Sequence, residues 1–159
     1  MIVIDASVAL TWCFEDKTTR TTEAVLDTLA SGEEASAPAI WSYEVANGLL
    51  IAERRGRITE AKAAALLQLL TQLPITIEQR HLAELMAVSA VGRFHRLSVY
   101  EAAYLDLAAR LGAKLATADE RLAAAAARAG VSLVIEAAPS VPLAGLANGP
   151  DTPPTRPTN

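Results

Sequence analysis

The chain has 159 residues, 52% of them hydrophobic but only 4% aromatic, and a formal net charge of −4. That length is one domain's worth, enough for a core of small aliphatic side chains without disulfides or a structural metal. The single cysteine, Cys13, cannot bridge internally, the acidic balance excludes a protein that coats nucleic acid by bulk charge, and no apolar run reaches the roughly 18 residues of a membrane helix.

The opening MIVIDAS has no basic leader, so a cytoplasmic protein away from membranes is the expectation. Its β-branched run Ile2 to Ile4 reads as a buried strand ending at Asp5, with a helix from near Ser7. Thr18 to Leu29 carries a helical apolar stripe that Gly32 stops, and the short segment Ala35 to Ile40 leads into a helix from Trp41 to Arg55, closed by Gly56. Thr59, with Lys62 three positions on, opens a helix to Leu73, and Pro74 terminates it. Ile75 to Ile77 is a short strand and Gln79 to Val91 a helix. Ser98 to Leu111 is the clearest helix, ended by Gly112; Lys114 to Ala118 reads as a strand, Asp119 to Ala129 as a helix stopped by Gly130, and Val131 to Ile135 as a last strand. Strands separated by helices of this length require crossover connections, so the fold class is α/β, three-layered, with a mostly parallel central sheet. Six of the eight prolines, Pro139, Pro142, Pro150, Pro153, Pro154 and Pro157, fall in the last stretch, which has no aromatic residue and no helical period. Residues 1–136 are therefore expected to form the folded domain and 137–159 a disordered tail.

This map sorts the acidic residues by place. Asp5 ends the first strand, Asp119 ends LATAD, Glu44 lies in the first turn after ASAPAI, and Glu101 lies in the first turn after Ser98. All four belong at one edge of the sheet, the carboxyl ends of parallel strands, where open α/β sheets bind ligands. Asp106 shares a helix with Glu101 but lies ~7.5 Å further along its axis and is left out of the site. Two unit charges 4 Å apart repel by about 4 kcal/mol at an effective dielectric of 20, so such a group needs an Arg or Lys, shared protons or a hard cation. Oxygen-only ligands favour magnesium or manganese, and no His/Cys cluster favours zinc, since His81 and His95 stand alone. Three of the acids also have a plainer explanation. Asp5 and Asp119 can cap helices, and Ser98-Val-Tyr-Glu101 fits a capping box.

The segments IDAS, PAIWSYEVANGLL and LSVYEAAYLDLAARLGAKLATAD, in this order and spacing, resemble the PIN-domain family, specifically the VapC-type toxins of toxin–antitoxin pairs. The resemblance implies a Rossmann-like α/β/α ribonuclease with an acidic cluster and magnesium or manganese. Asp5 matches the first acid, Glu44 the second and Asp119 the last; Ser7 and Thr117 match polar positions beside the first and last acids, and Asn47 a polar position one turn beyond Glu44. The third acid falls at Glu101, where the family pattern usually has Asp, so the carboxylate sits one methylene further out. An RNA substrate needs a basic rim, for which Arg54, Arg55 and Arg57 on one side and Arg93, His95 and Arg96 on the other are candidates. The resemblance also implies a cognate antitoxin, seated in part along Trp41 to Arg55. The leucines Leu66, Leu67, Leu69 and Leu70 crowd their helix on more than one face, which favours a homodimer.

Other enzyme classes fit less well. A phosphatase of the haloacid dehalogenase type needs a second Asp where Ser7 stands, a receiver domain needs an acidic pair and a late lysine, and nucleophilic Ser or Cys schemes lack a suitable histidine. The remaining alternative is a PIN fold that binds protein or RNA and cleaves poorly because Glu101 replaces Asp.

Overall fold

The apolar run Ile2–Ile4 forms strand β1 and is buried along its whole length because it lies inside the sheet. The structure, a computed structural model, describes residues 1–134; the Pro-rich segment and Ile135 lie outside the described residues. Along the chain, β1 is followed by α1 (Ala6–Trp12), α2 (Arg20–Ala30), β2 (Ala35–Pro38), α3 (Ile40–Arg54), α4 (Glu60–Leu70), β3 (Ile75–Glu78), α5 (Leu85–His95), α6 (Val99–Leu111), β4 (Lys114–Ala116) and α7 (Glu120–Arg128). The four strands pair in the order β3-β2-β1-β4, every pair parallel. Alternate residues of β1 face opposite sides. Ile2 and Ile4 pack with Val25 and Leu29 of α2, whereas Val3 joins the larger core with Trp41, Val45 and Leu49 of α3 and Tyr104, Leu105 and Leu107 of α6. The three-layer expectation therefore holds.

Local chemistry explains where the expected elements shift. Thr19, not Thr18, caps α2, through a capping box with Thr22. The helix expected from Gln79 begins only at Leu85, after a single 3-10 turn, Leu82–Glu84. Arg80 is held out by ion pairs to Asp106 and Glu84, and the His81 amide donates to Glu84 Oε2 at 2.8 Å. This helix then runs past Val91 to His95, so His95 belongs to its last turn. It stops at Arg96, a non-glycine residue in the left-handed region with φ 59°. Strand β4 ends at Ala116 rather than Ala118 because the Thr117 hydroxyl turns in to Asp5. The expected last strand is reduced, among the described residues, to one parallel bridge, Leu133 opposite Leu115, flanked by two backbone hydrogen bonds.

Candidate active site

The register of the sheet sets Ile4 opposite Ala116, so the chain after β1 and the chain after β4 emerge side by side, and the Asp5 amide donates to the Ala116 carbonyl at 2.9 Å. Asp5 occupies the N-cap position of α1, yet its side chain makes no cap hydrogen bond. Capping of α1 is therefore not its main engagement. Its Oδ2 instead accepts two hydroxyls, Ser7 Oγ and Thr117 Oγ1, each at 2.6 Å. Both hydroxyls are themselves tied to the β4 loop: Ser7 Oγ accepts the Ala118 amide at 2.9 Å and Thr117 Oγ1 the Asp119 amide at 3.0 Å. A buried carboxylate is thus held by two donors whose orientation the neighbouring backbone fixes. Burial still dominates its electrostatics and raises its pKa; the two hydroxyls pull the other way, and the charge of Asp119 adds to the rise.

Glu44 lies on α3 and is half-buried. The helix starts at Ile40, so Glu44 falls one turn in rather than in the first turn. Its Oε2 accepts the hydroxyl of Tyr104, a fully buried residue of α6. Desolvation raises the Glu44 carboxyl, Tyr104 opposes this, and the charges of Asp5 and Glu101 add to the rise. Tyr104 itself is pushed far above the ordinary phenol range, by burial and then by Glu44, so it stays protonated and acts as a donor. Tyr104 is not among the residues that the sequence pattern singles out. The available signal was its position three residues after Glu101, on the same helix face.

The plainer explanations hold in part for the other two acids. Asp119 Oδ1 accepts the amides of Arg121 at 2.7 Å and Leu122 at 3.0 Å and so caps α7. Glu101 completes a capping box: Ser98 N donates to Oε2 at 2.7 Å and Glu101 N to Ser98 Oγ at 3.1 Å. Mutual repulsion links Asp119 to Asp5, Asp5 to Glu44 and Glu44 to Glu101, so the four share one electrostatic neighbourhood. They do not converge on a point. Among the described residues no three His, Cys, Asp or Glu side chains form a ready chelating set. Each carboxylate is turned toward a donor of its own, which keeps like charges apart. The Asn47 side chain is exposed on α3.

Among the described residues no basic side chain forms an ion pair with the four acids. The ion pairs these residues do form join Arg57 to Asp16, Arg80 to Glu84 and Asp106, Arg110 to Asp106 and the N-terminus to Glu33. Asp106, left out of the site, is held between Arg80 and Arg110. Of the rim candidates, Arg55 and Arg57 line a groove of about 500 Å³ that reaches Ser7 and Ala118 and is also lined by Lys17, Leu10, Phe14 and Ile51. Gly48 forms part of its floor. A Cβ there would lie 2.6 Å from Leu10 Cδ1, so the absent side chain lets α1 seat against α3. Arg57 is stacked over Phe14, 4.6 Å from the ring centre, while both its bonds to Asp16 are 3.0 Å. Arg54, Arg93 and Arg96 are exposed, and the Arg96 carbonyl accepts from the Arg121 guanidinium at 3.2 Å.

The molecule is thus a parallel α/β domain that gathers acidic side chains at the carboxyl edge of its sheet, the edge where such folds bind ligands. Residues 2–128 match the family model described as the PIN domain, and the chain belongs to that family. It is 32% identical over 124 residues to "Ribonuclease VapC3" of Pyrobaculum aerophilum, a match covering 77% of this chain and 92% of the relative. It is 33% identical over 129 residues to "Ribonuclease VapC9" of Mycobacterium tuberculosis, covering 77% and 88%. Its fold resembles the crystal structure of PAE2754 from Pyrobaculum aerophilum, with TM-score 0.63, 22% identity and 78% of each chain covered.

Proposed function

We propose that the chain is a metal-dependent ribonuclease, the toxin of a VapBC-type pair, working with magnesium or manganese in the cytoplasm. The ribonuclease reading draws on membership of the PIN-domain family and on the VapC relatives. The observation that carries the site is Asp5: buried, braced by two hydroxyls and without a cationic partner among the described residues. An oxygen-only donor set of uncompensated negative charge fits a hard divalent cation. Asp5 and Asp119 would hold it, with Glu44 and Glu101 contributing directly or through water. Such a cation, when bound, activates water and stabilises charge on the leaving oxygen. The chain's own residues set the stage: Ser7 and Thr117 aim Asp5, Tyr104 aims Glu44, and Lys17, Arg55 and Arg57 offer the adjacent groove to a phosphate backbone.

The family relationship supports an antitoxin as partner, and the apolar surface supports a homodimer. Residues 1–136 are the nuclease unit in this proposal, with 137–159 a separate tail. The involvement of Glu101 in a capping box favours the second reading, a PIN fold that binds but cleaves weakly. Incubation of structured RNAs with magnesium, with manganese and with chelator decides between them. Cleavage that requires the metal and disappears in Asp119→Asn is the expected result; equal cleavage in chelator, or none in any condition, sinks the nuclease mechanism.

A further inference from the structure

Each of the four acids has one oxygen engaged by a hydrogen-bond donor, but only Glu44 is engaged by a side chain from the buried core of another helix. Tyr104 is 1% exposed and belongs to the larger core, which also holds Val45 and Leu49 of α3, so its ring is held by close packing. Its hydroxyl lies within reach of the Ala6 backbone and the field of Asp5 while donating to Glu44 Oε2. One phenol therefore sits where α6, the start of α1 and the functional turn of α3 meet.

We propose that Tyr104 is a positioning residue that fixes which oxygen of Glu44 faces the other carboxylates. The physical reason is the cost of flexibility. A half-exposed glutamate one turn into a helix has several rotamers, and repulsion from Asp5 and Glu101 drives it outward, toward water. A neutral, buried donor anchors Oε2 on the core side and leaves Oε1 for the site, in the way supporting hydrogen bonds orient metal-binding carboxylates. Phenylalanine would keep the packing and lose only the anchor. The proposal rests on the reading of Glu44 as part of the nuclease site, so its test separates the two.

Four proteins answer it: the parent, Tyr104→Phe, Glu44→Gln and the double variant. Mn²⁺ binding to RNA-free protein is followed by calorimetry, kcat and KM with a cleavable RNA, and melting temperature in chelator. Tyr104→Phe should weaken Mn²⁺ binding and lower kcat by roughly 10-fold each, with KM little changed. In the Glu44→Gln background the same change should add less than about twofold, because the residue acts only through that carboxylate. Equal losses in both backgrounds, or unchanged Mn²⁺ binding in the single variant, overturn the positioning role. Glu44→Asp, which withdraws the carboxylate from the hydroxyl without touching the core, should reproduce the Phe defect if Tyr104→Phe fails to fold; parental behaviour of that variant counts equally against the proposal. Parental Mn²⁺ binding by Glu44→Gln removes Glu44 from the site and so rejects the underlying reading by a result that does not involve Tyr104.

Discussion

At Asp5 the requirements of folding conflict with those of the chemistry proposed for it. Burial holds its pKa above the ordinary 3.8 even though Ser7 and Thr117 donate to it. The consequence for stability has a definite sign. As pH rises from about 4, the unfolded chain ionises this group before the folded one does, so stability falls until the folded carboxyl is also ionised, and the cost is complete above that point. Asp5→Asn can accept the same two hydroxyls without a charge. In chelator near neutral pH it should exceed the parent by on the order of 1 kcal/mol, roughly 3–5 °C in melting temperature, with the gap closing as pH falls toward about 4. RNA cleavage should be lost in the same variant. Thermal melts across pH read the first claim. A variant less stable than its parent at neutral pH would show that the hydroxyls, rather than the burial penalty, dominate at this position.

Helix ends decide how the remaining acids are used. Glu101 bonds back to Ser98 while its charge reaches Glu44, so one side chain closes α6 and, in the proposed site, would also serve the metal. Glutamine can also complete a capping box, whereas alanine cannot. Glu101→Gln should therefore hold its melting temperature within about 2 °C of the parent, a surface-sized effect, yet bind Mn²⁺ roughly 10-fold more weakly. Glu101→Ala should lose about 1 kcal/mol of stability in addition. A parental Mn²⁺ titration for the Gln variant would leave Glu101 as a cap alone. The sequence displayed these ends clearly, because Ser98, Thr59, Asp119 and Gly112 act locally through their own backbone geometry. It displayed β1 and the parallel character of the sheet equally well, through a β-branched run and crossover lengths, but not the strand order. What it concealed were contacts made at long range. The Tyr104 bond to Glu44 spans 60 positions and the Thr117 bond to Asp5 spans 112, so no periodicity announces which hydroxyl meets which acid. The delayed start of α5 was hidden for the same reason, since Arg80 is committed to Asp106, 26 positions away.

At the scale of the whole molecule, the apolar surface is distributed differently from the sequence expectation. On α4, Leu66 is taken by the chain's own core and Leu70 is partly buried, leaving Leu67 and Leu69 exposed. The more exposed side chains are Leu82, at 84%, just before α5, and Met86 and Phe94 on it, at 78% and 83%. Met86, Ala90 and Phe94 recur every four residues of α5 and so share one side of that helix, with Leu82 exposed in the 3-10 turn just before it. Exposed large apolar groups arranged as a continuous row mark an interaction surface more often than an accident of composition. A homodimer, as proposed, should therefore depend on α5 more than on α4. In light scattering over a range of concentrations, the parent should run as a dimer, Met86→Glu with Phe94→Glu as a monomer, and Leu69→Glu as a dimer. If an antitoxin seats along α3, as the family resemblance implies, its binding should survive the α5 substitutions. A parent that stays monomeric at every concentration removes the dimer, and a monomer produced by Leu69→Glu alone returns the interface to α4.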